Sequence, residues 1–316
     1  MNPVRIPWSH ASFLAYFGGI TILVAMLAFL AIEGGEHRSG AFVGWAALVF
    51  AVFAALGVLS KRGARFITAG LFALSAVVAF VVFLGALLDS LGWLPDIQHT
   101  SAFGGFRFWL LVLELAAVAA SAAAVRIFHF PLLVFLVAAT AWFFVTDLLS
   151  GGGDWSAAVT IAYGIVLLGV ALSFDRGGSR VYGFWLHVSA GLTIGGGLLW
   201  FFHEGDWDWI AITVAALLYI ALGDRVLRSS WVVLASWGLL QVTTHFAEKW
   251  ADVTFLLFFP FGFLLFPFVS YEEVEQPKHH MWAAPLAYAI LGVVLIGIAQ
   301  LIAVLRRGTI PAAELL

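Results

Sequence analysis

The chain has 316 residues, of which 63% are hydrophobic and only 10% are charged. Soluble domains carry about 25% charged residues, so this composition excludes a soluble globular protein and indicates that lipid forms part of the solvent. The formal net charge of −3 points to no nucleic-acid partner, and the absence of cysteine excludes disulfides, thiolate metal sites and cysteine nucleophiles.

Apolar runs long enough to cross a bilayer follow one another along almost the whole chain. A membrane-spanning helix needs about 20 predominantly apolar residues. Ten runs meet this requirement, near residues 12–32, 41–60, 66–88, 107–127, 130–149, 156–174, 181–202, 207–223, 229–247 and 281–305. The first is longer than a signal-peptide core, which has about 7–15 residues, so we expect it to be retained. The sequence predicts an all-α, polytopic transmembrane helical bundle of about ten spans in a single integral membrane domain, 1–316.

Charges between the runs alternate in sign along the chain. Basic residues gather in every second connection, at Lys61, Arg62, Arg65, Arg126, Arg176, Arg180, Arg225 and Arg228. The other connections are mainly acidic. Because an excess of Lys and Arg marks the cytoplasmic side, this pattern predicts a cytoplasmic amino terminus.

The apolar segment 252–271 differs from the ten runs. Pro260 breaks helical hydrogen bonding, and Gly262 permits a tight reversal. A full span would carry Arg306 and Arg307 to the acidic side, whereas a re-entrant segment would leave them in the cytoplasm. We therefore predict a re-entrant segment with both termini cytoplasmic. A kinked eleventh span is the alternative, since proline also occurs in ordinary spans.

Two of the runs share a local pattern. Residues 18–22 (GGITI) in the first run match residues 190–194 (AGLTI) in the seventh, and an acidic, glycine-rich turn follows both runs. The two runs point the same way in the predicted topology. The match favours a parallel repeat of helix pairs over recurrence by composition, and such repeats occur in some transporters but also in proteins that transport nothing.

The opening residues 13–19 (FLAYFGG), together with helix pairs joined by alternating acidic and basic turns, resemble a group of uncharacterised bacterial multi-pass proteins. This group is domain of unknown function 2157. The resemblance is one of overall pattern: it covers most of the chain but rests on no diagnostic motif. The soluble stretch associated with the amino terminus of that group is missing from this sequence. It implies a bacterial inner-membrane protein and supplies no activity.

Polar side chains inside the predicted spans are the candidate functional groups: Glu114, His187, Gln241, His245 and Gln300. Glu114 shares its helical face with small residues, which indicates that it faces the bundle interior. A charged group at membrane depth is costly unless it is paired, neutralised or hydrated. A proton or cation site and a protonated structural glutamate both remain open for Glu114.

The predicted topology groups these polar residues by depth. Glu114 lies in the outer half of the membrane with Gln241 and His245, so we expect it to meet one of them. His187 and Gln300 lie in the inner half. For His187, a hydrogen bond to another helix is favoured over metal ligation, because a single histidine satisfies no metal geometry.

The outer connection before the eighth run offers a candidate site for a divalent metal at His203, Glu204 and Asp206. Carboxylates with imidazoles suit Zn²⁺ or Mn²⁺. The alternative is an ordinary solvated turn, since the topology already requires few basic residues there.

The sequence contains no Walker-type loop, GxSxG, HExxH or dinucleotide fingerprint. We therefore favour a non-enzyme over an intramembrane enzyme acting on lipid. The preferred hypothesis is a transporter or channel-like protein for a small cation or small solute. The alternative is a non-catalytic scaffold or accessory subunit that binds membrane lipids, partner membrane proteins or further copies of itself.

Overall fold

A computed structural model describes residues 10–32, 40–93, 108–149, 154–202, 205–251 and 283–307 of the protein. This part of the chain contains no strand, which confirms the all-α prediction for it. The helices are α1 (His10–Ile32), α2 (Gly40–Arg62), α3 (Phe66–Ser90), α4 (Phe108–Phe128), α5 (Leu132–Leu149), α6 (Asp154–Arg176), α7 (Arg180–Phe201), α8 (Asp206–Val226), α9 (Ser229–Ala251) and α10 (Ala283–Arg307).

Seven of these helices, α2 to α8, are long and apolar enough to cross a membrane. Large apolar side chains such as Leu48 and Val166 are more than half exposed, as expected where lipid rather than water surrounds a helix. The protein is therefore a multi-pass α-helical membrane protein. The predicted total of ten spans stays a prediction, and the predicted re-entrant segment 252–271 lies outside the described residues.

The chain divides into two compact units, Met1–Gly197 and Leu198–Leu316. In the first unit, α2 packs along α3, α1 packs against both, and α4 and α5 follow on the other side of α3. Aromatic and small side chains fill the core between α1, α2 and α3, including Met26, Phe42, Phe53 and Phe72. The single integral membrane domain inferred from the sequence stays a prediction.

The connection between α4 and α5 is held by neighbouring helices. The Lys61 ammonium at the end of α2 donates a hydrogen bond to the Ile127 carbonyl at 2.6 Å. The Tyr182 hydroxyl on α7 donates to the His129 carbonyl at 3.1 Å. Phe130 lies against Gly70 of α3 so closely that a β-carbon at Gly70 would overlap its ring. These contacts fix the α4–α5 hairpin at its basic end.

The second unit contains α8, α9 and α10. Ala216 and Ile220 of α8 pack against Ala235 and Leu239 of α9. Trp231 at the start of α9 is fully enclosed and meets the Tyr219 ring edge-on, with 4.7 Å between ring centroids. This apolar contact fixes which side of α9 faces α8.

Candidate functional site: a carboxyl pair on α4 and α5

The side chain of Glu114 lies near the start of α4 and is partly buried. The carboxyl of Asp147, near the end of α5, lies close enough to that of Glu114 for the two groups to interact electrostatically. One oxygen of Glu114, Oε2, is enclosed and has no hydrogen-bond partner among the described residues. Asp147 is exposed, so the pair joins an enclosed group to an accessible one.

The antiparallel hairpin of α4 and α5 explains why these two residues meet. The helices are joined by a short turn in which His129 adopts a positive φ of 51°, so the start of α4 lies beside the end of α5. Deeper in the hairpin, Ser121 Oγ lies 3.0 Å from Thr140 Oγ1. Ser121 is seven residues after Glu114 and Thr140 is seven residues before Asp147. The equal offsets show that one helix register produces both contacts.

The carboxyl groups of Glu114 and Asp147 lie close to each other on adjacent helices. Two ionised carboxylates at this range repel each other, so one of them holds a proton or a cation lies between them. Partial burial at membrane depth adds to the cost of a second negative charge. The pair can therefore bind and release a single positive charge.

A second polar contact joins α6 to α7. His187 is fully buried, and its Nε2 lies 2.9 Å from Asp175 Oδ2. Gly183 lies one turn before His187, and a β-carbon there would overlap Asp175 Oδ1. Glycine at this position therefore provides the space in which the Asp175 carboxylate reaches His187. The contact supplies one histidine and one carboxylate, fewer ligands than a metal usually requires.

A third polar cluster lies where α8 begins and α9 ends. The Gly205 N–H donates to Asp208 Oδ2 at 2.9 Å, which caps the start of α8. The Asp206 carboxylate pairs with the Lys249 ammonium. His245 stacks on the Trp209 indole with 4.5 Å between ring centroids, and its Nε2 lies 3.6 Å from Asp206 Oδ1.

The structure brings some predicted site residues together and leaves others apart. Glu114 belongs to the first unit and Gln241 and His245 to the second, so their expected approach stays a prediction. Gln241 is partly buried one turn before His245, and Gln300 is exposed on α10. Of the predicted metal ligands, His203 and Glu204 lie outside the described residues, and Asp206 pairs with Lys249. The described ranges contain no group of three His, Asp or Glu side chains suited to a metal.

Three charged residues that pair with predicted site residues are not themselves in the predicted site: Asp147, Asp175 and Lys249. Two of them carry a sequence signal. Asp175 is an acidic residue in a connection that is otherwise basic, and Lys249 is a basic residue between two acidic ones. A residue whose charge is opposite in sign to that of its neighbours in sequence is a candidate to form a specific ion pair. Asp147 has no such signal, since it lies on the acidic side, and only the hairpin register identifies it.

No protein-family profile, curated protein or solved structure matches this chain. The resemblance to domain of unknown function 2157 stays a prediction.

Proposed function

We propose that this membrane protein is a transporter or channel-like protein for a small cation, and that Glu114 and Asp147 form its cation-binding site. The observation that carries the proposal is the partly buried carboxyl of Glu114, whose enclosed Oε2 has no hydrogen-bond partner among the described residues, close to the carboxyl of Asp147 on the next helix. An ionisable group inside a membrane-spanning helix is functional by default, because its burial is costly. Here one such group, Glu114, lies close to a second, exposed carboxyl group on the adjacent helix.

The cation that best suits this pair is a proton. Two neighbouring carboxyl groups, one of them partly buried, are suited to holding one proton between them. A metal ion needs more oxygen ligands, about six to eight in the case of Ca²⁺. The pair supplies at most four carboxyl oxygens, and one of these, Glu114 Oε2, is already enclosed by protein.

The exposed member of the pair, Asp147, is suited to exchange a proton with the outer solution. Asp89 at the end of α3 adds a further negative charge to the acidic side of the predicted topology. A surface of one charge sign raises the local concentration of counter-ions. On this proposal a proton reaches Asp147 first and passes to Glu114.

Purified protein reconstituted in liposomes with a trapped pH-sensitive dye tests this function. With a membrane potential imposed, we expect the wild type to admit protons faster than protein-free liposomes. Glu114→Gln should fold normally and lose this flux, because the amide keeps the shape but cannot ionise. Asp147→Asn should reduce the flux, and Asp89→Asn should keep it as the matched acidic control. Wild-type flux in the Glu114→Gln protein would contradict the proposal.

A scaffold remains the second candidate, and a specific observation favours it. Several polar side chains between α4, α5 and α6 are already hydrogen-bonded within the protein. Trp142 Nε1 donates to Thr160 Oγ1 at 3.0 Å, and the Tyr163 hydroxyl donates to the Ala138 carbonyl at 2.8 Å. Such bonds hold helices together in membranes. Two results together would favour the scaffold. The wild type would admit protons no faster than protein-free liposomes, and native mass spectrometry would show lipid or a partner membrane protein retained on the protein.

We further propose a bacterial inner-membrane location with both termini cytoplasmic. The helix ends support this orientation. The last turns of α2, α4, α6 and α8 each carry a basic residue, and these four ends share one side if each helix crosses the membrane. The excess of Lys and Arg on the cytoplasmic side in membrane proteins then places that side in the cytoplasm. A divalent metal at the opposite, outer face is likewise a proposal.

A further inference from the structure

One stripe of α9 carries uncharged polar side chains along most of the helix. Ser230, Trp237, Gln241 and His245 are separated by seven, four and four residues. Side chains at these spacings lie on one helical face. The stripe covers about 22 Å at a rise of roughly 1.5 Å per residue. In the predicted topology, in which α9 crosses the membrane, this length is most of a hydrocarbon core about 30 Å thick.

The polar atoms of this stripe are unusual in their hydrogen bonding. Ser230 Oγ, Trp237 Nε1 and His245 Nε2 are each enclosed and have no hydrogen-bond partner among the described residues, although His245 Nε2 lies 3.6 Å from Asp206 Oδ1. Ser230 is only 7% exposed. Trp209 on α8, whose ring stacks on His245, also has an enclosed Nε1 with no hydrogen-bond partner among the described residues. Four of these atoms therefore belong to one pair of helices.

Other polar side chains of α9 do not share this property. The Thr243 hydroxyl donates to the Leu239 carbonyl at 2.9 Å, and the Ser236 hydroxyl donates to the Val232 carbonyl at 2.9 Å. Both lie away from the stripe by helical spacing. The unpartnered atoms are thus concentrated on one face, and α9 offers matched positions for controls.

We propose that this stripe lines a path for water and small neutral polar solutes. Almost all buried polar groups in native proteins have a hydrogen-bond partner, either protein or water, and a buried group without one costs roughly 1–3 kcal/mol. Water or a hydroxyl-bearing solute supplies the acceptor that each indole N–H requires. It also supplies donor and acceptor together for the serine hydroxyl.

The chemistry of the stripe selects neutral solutes over ions. No charged residue occurs between Ser230 and His245. This length of α9 therefore offers an ion no opposite charge to compensate for the loss of its hydration shell. Beside His245, the charged groups Asp206 and Lys249 form an ion pair with each other. The stripe belongs to the second unit, whereas the proposed proton site belongs to the first.

Osmotic shrinkage of reconstituted liposomes, followed by stopped-flow light scattering, tests for the path. We expect the wild type to pass water, and then glycerol or urea, faster than protein-free liposomes. Gln241→Leu and Trp237→Phe should lower permeability toward the protein-free level, whereas Thr243→Val should leave it at the wild-type level. Glu114→Gln should also leave it unchanged, so this test succeeds or fails independently of proton flux. Wild-type permeability at the protein-free level would overturn the proposal.

Hydroxyl-radical footprinting tests hydration of the stripe without relying on transport. Radicals formed from bound water oxidise the side chains beside it. We expect oxidation of Trp237 well above that of Trp231, which is fully enclosed on the same helix. Equal protection of both tryptophans would show that no water reaches the stripe and would overturn the proposal. If Trp237 is oxidised but the permeability stays at the protein-free level, then the stripe binds water without conducting it. That result would also reject the proposed path.

Discussion

Asp175 Oδ2 lies 2.9 Å from His187 Nε2 and joins the carboxyl end of α6 to a fully buried position on α7. The carboxylate reaches the imidazole across the backbone of Gly183, where a β-carbon would overlap Asp175 Oδ1. A buried polar group is costly when its partner is lost. Gly183 therefore controls whether His187 keeps its contact with Asp175.

Gly183→Ala should lower thermal stability. The added methyl group displaces Asp175 and leaves His187 buried without this bond, at a cost of roughly 1–3 kcal/mol. The matched control is Gly196→Ala on the same helix, where a β-carbon would meet no atom within 4 Å. Because alanine favours a helix over glycine by about 1 kcal/mol, the control should be neutral or stabilising. Equal unfolding temperatures for the two variants would show that Asp175 keeps its place beside an alanine.

Ser121 and Thr140 should couple weakly in a double-mutant cycle. Their hydroxyls lie 3.0 Å apart, and each also has carbonyl acceptors within its own helix, including Ala117 for Ser121 and Leu136 for Thr140. Since each hydroxyl keeps an acceptor when the other is removed, we expect a coupling energy of about 0.6 kcal/mol, the typical value for such bonds between membrane helices. Ser121→Ala, Thr140→Val and the double variant would be compared by reversible unfolding in detergent. Strict additivity would mean that the hydroxyls do not bond to each other.

The carboxyl terminus should be accessible only from the cytoplasmic side. The chain has no cysteine, so a single introduced cysteine is the only thiol. In whole cells, Thr309→Cys should resist a membrane-impermeant maleimide, as Ser179→Cys should on the basic side. Ser90→Cys, on the acidic side, should react. Labelling of Thr309→Cys under these conditions would replace the predicted re-entrant segment with an eleventh span.

Much of the helical architecture follows from the sequence, because lipid imposes a simple rule. Backbone groups in a bilayer must be hydrogen-bonded internally, so a long apolar run is readable as a helix without knowledge of its neighbours. Each described helix overlaps one of the predicted runs. The division of the chain into two units at Gly197 cannot be predicted from apolar runs, because it depends on which helices pack together.

The candidate site was predictable only in part. Glu114 is conspicuous because a carboxyl group interrupts an apolar run. Its partner Asp147 is not, because the acidic side of the topology explains that residue without reference to Glu114. Pairing depends on the register of α4 against α5, which the Ser121–Thr140 contact reveals. Register is a property of packing, and short-range sequence patterns do not encode it.

The claim that Glu114 and Asp147 share one proton is tested most directly by infrared spectroscopy of the purified protein at neutral pH. The carbonyl stretch of a neutral carboxyl group is separate from the bands of an ionised one. We predict a neutral-carboxyl band in the wild type that disappears in Glu114→Gln and in Asp147→Asn, and that persists in Asp89→Asn. A spectrum in which both carboxyl groups are ionised, or a neutral-carboxyl band unaffected by either substitution, would contradict the shared proton and remove the basis for proton transport at this site.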